Sequence, residues 1–310
     1  MVEMKPKIIY IMGHSRSGST IFDIMLSNAS NVVGVGELIN LESLGFIKNE
    51  YCSCGSRIEE CDFWSKIKKD MLNSEFNDFE KQHNLIKSVD GHKRFFYEYL
   101  EKTKTSIETA DNYLNYNNHL FSSIIKHSNA NCVVDSSKMP TRGYFLSLME
   151  EFDVYLLHIV RDPRAVCWSL NKPIKKDLEK GVQRDMPGTP IMKTIKSWLG
   201  NAVMSLKIKK QLNDKYMLIN YDRLIQDNEA VLNEISKFTN VDFSEVAKMI
   251  KRDDEFTKFH TVAGNRLRMA EKIKLQYDDS WKKNLSAWQN FYITLLTLPL
   301  LKKFGFKVFA

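Results

Sequence analysis

KIIYIMGHSRSGST, residues 7 to 20, decides the fold. Ile8, Ile9, Tyr10, Ile11 and Met12 form an unbroken apolar run, the pattern of a parallel strand covered on both faces. The run breaks at Gly13, and small and polar residues continue to Gly18, Ser19 and Thr20. Ile21, Phe22, Ile24, Met25 and Leu26 then supply the apolar surface of a helix. A strand, a glycine loop and a helix N-terminus together hold phosphate, because free N–H groups and the helix dipole both face the anion.

Gly13 and Gly18 have the spacing of the G-x-x-x-x-G-K-[ST] nucleotide loop, but Ser19 stands where that loop carries its lysine. The nearest cation is Arg16. His14, Ser15, Arg16, Ser17, Gly18, Ser19 and Thr20 are therefore expected to cradle an anion without the lysine that grips β- and γ-phosphates. A bare turn would not need two glycines and an arginine among so many hydroxyls.

The chain has 310 residues, 43% of them hydrophobic, enough for one α/β domain with insertions. Its net charge of +7 suits an anionic ligand, but the charges are dispersed, so nucleic acid is not expected as a partner. No signal peptide is evident, and no apolar stretch approaches the roughly 18 to 20 residues that span a bilayer. A cytoplasmic location is the expectation. FYITLLTLPLL near the C-terminus contains Pro299 and reads as a buried closing helix. Five cysteines is an odd number, and Cys132 and Cys167 fall in expected core elements, which argues against a secreted disulfide scaffold. Cys52, Cys54 and Cys61 lie within ten residues. With no fourth ligand nearby and no C-x-x-C spacing, a structural role or a local disulfide is expected in preference to zinc.

Further strands are expected at 31–37, ending on Glu37, at 132–135, leading to Asp135-Ser136-Ser137-Lys138, at 154–160, leading to Arg161, and at 216–220, leading to Tyr221. Residues 65–128 have helical spacing and read as a helical insertion capping the site. Residues 171–190 are rich in Lys, Gly and Pro and read as a flexible loop. Five apolar strands alternating with helices imply a parallel sheet wound on both faces. Ligands bind at the carboxyl ends of such strands, where the polar residues named here collect.

These motifs resemble the sulfotransferases that use 3′-phosphoadenosine 5′-phosphosulfate (PAPS), over most of the chain. GHSRSGST resembles that family's 5′-phosphosulfate loop, and HIVRDPRAVCWSL its 3′-phosphate motif, with Arg161 and Ser169 as the phosphate ligands. VGVGEL, CSCG, CDFW, VDSSKMP, NYDRL and HTVAGNRLR look like the bacterial-type members. The resemblance implies a three-layer α/β/α, P-loop-like fold with a five-stranded parallel sheet. It implies PAPS as co-substrate and 3′,5′-adenosine bisphosphate (PAP) as product, and no metal is expected. It also implies a donor site that includes Tyr221, Gly264, Asn265 and Arg268. Arg266 stands where a proline is more usual, so Arg268 is the better match to the phosphate arginine. Glu37 is the expected base that takes the acceptor's proton, aided by Arg16 and Lys138. The acceptor would be a hydroxyl or amine on a carbohydrate, lipid or small molecule. Two rival readings remain: a P-loop small-molecule kinase, which should carry lysine at position 19, and a non-catalytic module binding nucleotide or sulfated glycan. The sequence carries no signal for oligomeric state.

Overall fold

The computed structural model describes residues 5–91, 93–177, 182, 185–270 and 272–308. Five strands form one all-parallel sheet: β1 (Lys7–Gly13), β2 (Val32–Gly36), β3 (Cys132–Lys138), β4 (Asp153–Val160) and β5 (Tyr216–Asn220), in the order β2-β3-β1-β4-β5. β1 is central, and the chain passes from one side of it to the other between β3 and β4. The carboxyl end of β1 is thus the topological switch point, where such sheets open a crevice.

Strand alternation divides the core. Ile8, Tyr10 and Met12 face one layer with Val33, Val133 and Leu156. Ile9 and Ile11 face the other with Val134, Leu157 and Ile219. Helix α1 (Ser19–Leu26) packs on the second face. The 65–128 segment resolves into α2 (Trp64–Leu72), α3 (Phe79–Asp90), α4 (Lys93–Leu100) and α5 (Lys104–Ser128), whose apolar stripes join the first face. These helices are the crossover from β2 to β3 and cover the sheet itself. They are followed by α6 (Pro140–Leu146), α7 (Pro163–Asn171) and α8 (Ile191–Gln211). Helices α9 (Tyr221–Gln226), α10 (Asn228–Thr239) and α11 (Ser244–Lys251) complete the second layer.

A buried polar knot ties the first layer to the sheet. Arg142 donates to Asp135 (3.0 Å), Asp90 (3.2 Å), Tyr113 (2.9 Å) and Asn117 (3.1 Å). Every lobe of the guanidinium is thus satisfied, the condition for burying a charge. Asp135 accepts from Arg142 and Ser137, which suits a structural role.

Three expectations are adjusted. The third strand runs on to Lys138, because a bulge at Ser136–Ser137 lets the pairing with β1 resume at Met12–Lys138. Residues 171–190 form antiparallel bridges, Ile174 with Met186 and Asp177 with Val182, while 178–181 and 183–184 lie outside the described residues. The C-terminal helix α13 (Ala287–Lys303), which follows the short α12 (Trp281–Asn284), is only half buried. Ile293, Thr297 and Leu301 face the protein, whereas Trp288 is 70% exposed and Phe291 and Leu295 more than half exposed. It is apolar on every side but has a neighbour on one. Among the described residues, no helix is long and apolar enough to cross a membrane.

Candidate functional site

The phosphate loop leaves β1 through Gly13, where a Cβ would fall 2.3 Å from the Ile159 carbonyl. It enters α1 through Gly18, in the left-handed region at φ 91, where a Cβ would fall 2.3 Å from the Tyr221 ring. Only glycine fits either position. Among the described residues no side chain caps α1, which leaves the N–H groups of its first turn for a ligand. Arg16 sits at the loop's tip with φ 68. Its guanidinium is lowered from its ordinary pKa by burial and by the like charge of Arg266, with Glu37 opposing. Two arginines thus converge on the loop. His14 is engaged at both ring nitrogens: Nε2 meets the Ser197 hydroxyl at 2.7 Å and Nδ1 the Ser15 carbonyl at 3.0 Å. Burial and the field of Lys138 lower its pKa, favouring the neutral ring.

Glu37 follows β2 directly. Its backbone N–H donates to Val262 (2.9 Å), and its Oε2 accepts from Asn40 (3.0 Å). Its Oε1 forms an ion pair with Lys138 Nζ, both side chains being about 15% exposed or less. The bulge in β3 and a positive φ of 72 at Lys138 bring this ammonium to the carboxylate.

Arg161 follows β4. Its Nη1 donates to the Arg16 carbonyl at 3.3 Å, its Nη2 to the Asp278 carbonyl at 3.1 Å, and its guanidinium lies 4.7 Å over the Tyr221 ring. Tyr221, following β5, therefore packs against both Gly18 and Arg161. Ser169 is half-buried on α7, two turns beyond Arg161. Arg164 instead pairs with Asp162 (2.6 Å) and holds the carbonyl of Lys307 (2.6 Å), tying down the C-terminal segment.

The last element arrives from far along the chain. Val262 bridges to Gly36 in parallel, extending the sheet edge beside β2. Gly264, at φ 88, lies so close that its Cβ would stand 3.3 Å from Glu37 Oε1 and 3.5 Å from Thr20 Oγ1. The Asn265 N–H donates to Thr20 Oγ1 at 3.4 Å. The two arginines beyond it part company. Arg268 is 4% exposed and donates to the carbonyls of Tyr51 (2.9 Å) and Thr261 (3.2 Å), bracing the cysteine loop. Arg266 is exposed and lies in the field of Arg16. The cysteine loop also departs from expectation. All five cysteines are free, and the nearest recorded sulfur pair, Cys54 and Cys61, is 3.7 Å apart, beyond the roughly 2.05 Å of a disulfide. A fourth donor does stand beside them: His260.

A sulfotransferase family model matches residues 6–245. The chain belongs to the sulfotransferase family. Two solved structures share its fold along nearly the whole length. The sulfotransferase domain of the Synechococcus PCC 7002 olefin synthase is 18% identical, with a TM-score of 0.53, covering 99% of this chain and 98% of that one. The sulfotransferase domain from the curacin biosynthetic pathway is 17% identical, with a TM-score of 0.54, covering 98% and 99%. No curated protein matches the chain.

In this sulfotransferase, sequence reading missed the residues that position others. Ser197 and Asn201 on α8 hold His14 and the Gly13 carbonyl (3.2 Å), and Asp278 holds Arg161. None has a local signature, since each acts from a segment remote from the loop. Asp23 was also missed, although its place on an apolar helix was visible. It is 1% exposed and accepts from the Ser136 hydroxyl (2.6 Å) and the Gly36 N–H (3.1 Å), fixing α1 to β2 and β3.

Proposed function

We propose that this sulfotransferase moves the sulfuryl group of PAPS to a hydroxyl of a small-molecule or glycan acceptor, releasing PAP. The observation that carries the reading is a pair of neighbouring cationic residues: Arg16, in the loop that leads into an uncapped helix N-terminus, and Arg161, which lies over the Tyr221 ring and touches the Arg16 carbonyl at 3.3 Å. The donor has phosphates at both ends and needs two such positions. Arginine suits them through bidentate contact.

The residues fit that donor. The N–H groups and hydroxyls of Ser15 to Thr20 would hold the 5′-phosphosulfate with Arg16. Arg161 and Ser169 would hold the 3′-phosphate, Tyr221 standing between the two ends. Gly264 and Asn265 would close the loop from above, with Arg266 adding charge and Arg268 keeping their segment in place. PAPS supplies an activated sulfuryl on a phosphate leaving group. Glu37 accepts the proton of the attacking hydroxyl as the new oxygen–sulfur bond forms and the bond to the phosphate oxygen breaks. Arg16 and the loop N–H groups stabilise the charge that the departing phosphate gains. Lys138 has two anionic partners in turn: Glu37 before the donor binds, and the sulfuryl or bridging oxygen afterwards. That exchange would free the carboxylate for its proton.

The test is thermal stabilisation by PAP compared with ATP and magnesium. PAP should raise the melting temperature, and Arg161→Ala should abolish the rise. Preferential stabilisation by ATP with magnesium would decide for a kinase.

A further inference from the structure

We infer that Cys52, Cys54, Cys61 and His260 bind a structural zinc ion. Their donor atoms all lie within 4.8 Å of one another. Cys61 Sγ is 3.1 Å and Cys52 Sγ 3.8 Å from His260 Nδ1, and Cys54 Sγ is 3.7 Å from Cys61 Sγ. Tetrahedral zinc, with bonds of about 2.3 Å to sulfur and about 2.0 Å to nitrogen, holds its ligands about 3.5 to 3.8 Å apart. The observed separations bracket that edge.

Hydrogen bonding alone does not account for the cluster. Thiols are weak donors, and 199 residues separate Cys61 from His260. Three thiols and an imidazole converging on one point from two distant segments gain little from weak S–H contacts and much from a shared metal. The surroundings are built to hold the ligands still. Phe63 stacks on the His260 ring at 5.2 Å, and Trp64 Nε1 donates to the His260 carbonyl at 2.7 Å. Ser53, between two of the cysteines, exchanges hydrogen bonds with Thr261: its N–H donates to the Thr261 carbonyl (3.2 Å), and its hydroxyl accepts from the Thr261 N–H (2.8 Å). Gly55 turns the loop back at φ 93, and a Cβ there would meet nothing within 4 Å. That glycine is needed for its backbone angle, not for space.

Three thiolates and one imidazole fill all four positions of the ion and leave none for substrate, the pattern of a structural site. On binding, the thiols release their protons, and the site carries one net negative charge. Arg268, braced on Tyr51 and Thr261, supplies a neighbouring positive charge. The zinc would clamp the cysteine loop to residues 259–262. Val262 and Gly264, next in the chain, lie against Glu37 and Thr20.

The inference is independent of the donor assignment, and its test does not depend on activity. The full chain, purified without chelator, is analysed for metals; about one zinc per chain is expected, falling at least about fivefold in Cys54→Ser and His260→Ala and unchanged in Cys167→Ala. The wild-type protein provides a second reading that does not depend on variants folding. Stripped of metal under reducing conditions and titrated with cobalt(II), it should develop thiolate-to-cobalt charge-transfer absorption that saturates at one equivalent. Zinc-free protein that shows no such absorption would overturn the inference. A Cys54–Cys61 disulfide in the unreduced native protein would do the same.

Discussion

Replacing Asp23 by asparagine should make the protein less sensitive to pH. Burial, with the like charge of Asp135 adding to it, raises the Asp23 carboxyl from 3.8 to about 7, against the pull of its bonds to Ser136, Gly36 and Ser27. Between these two values the folded protein keeps a proton that the unfolded chain has released. Stability therefore falls as pH rises from about 4 to about 7 and is level above that, with a slope of about 1.4 kcal/mol per pH unit and a total on the order of 4 kcal/mol. Asparagine imitates the protonated acid. Its amide oxygen keeps the bonds from Ser136 (2.6 Å) and Gly36 (3.1 Å), and its NH₂ faces the Ser27 hydroxyl. Urea unfolding of both proteins from pH 4.5 to 8 isolates the effect. Glu42, raised to about 7, and Asp90, raised to about 6, slope the same way but are present in both chains and cancel in the difference. The variant should gain on the wild type as pH rises to about 7, hold that gain above it, and lead at pH 8 by up to about 4 kcal/mol. Parallel curves would mean that Asp23 is ionised in the folded protein, and the reasoning would fail.

The other expectations concern the site and its frame. Glu37→Gln should leave PAP affinity within about twofold while lowering turnover by about 10² to 10⁴, the usual worth of a positioned base; unchanged turnover would remove Glu37 from that role. Gly18→Ala should cost at least about 1 to 2 kcal/mol for the left-handed backbone alone. It should also weaken PAP binding, because the new methyl displaces the Tyr221 ring that lies against Arg161; wild-type melting and affinity would contradict the packing described. Arg266→Ala should weaken PAP binding with little change in melting temperature, and Arg268→Ala should do the reverse, so ligand-dependent and ligand-free melting curves separate the two; the opposite pattern would return the phosphate contact to Arg268. Arg142→Met should destabilise by about 3 to 5 kcal/mol in chemical unfolding, since it strands Asp90 and Asp135 without a counter-charge; a loss under about 1 kcal/mol would show that the knot relaxes.

The fold was legible because its signals are short-range. An apolar run of five residues, a glycine, and an amphipathic stretch are read within twenty residues of one another, and the alternation repeats for each strand. The same holds for the proposed site residues delivered directly by strand ends: Gly13, Glu37, Lys138, Arg161 and Tyr221 each follow or close a strand, and a parallel sheet brings those ends to one edge without further information. What was not legible depends on contacts between distant segments. Arg266 and Arg268 are two residues apart in one short turn, yet one reaches the charge field of Arg16 and the other the carbonyl of Tyr51, 217 residues away. Spacing alone could not divide them, and likeness to a motif favoured the buried one. His260 was hidden from the cysteines for the same reason: metal-ligand spacing is recognised when a loop supplies all its donors, and here the fold would supply the fourth. Both cases concern the 259–268 segment, which is a late arrival at the sheet edge and has no strand of its own. A segment held by one bridge at Val262, by Arg268 and by hydrogen bonds to Ser53, Trp64 and Thr20 must take its position from the partners that meet it. The cysteine loop and Arg268 therefore bear on the proposed donor site as directly as the residues proposed to line it, because they help set where Gly264 and Asn265 stand against Glu37 and Thr20.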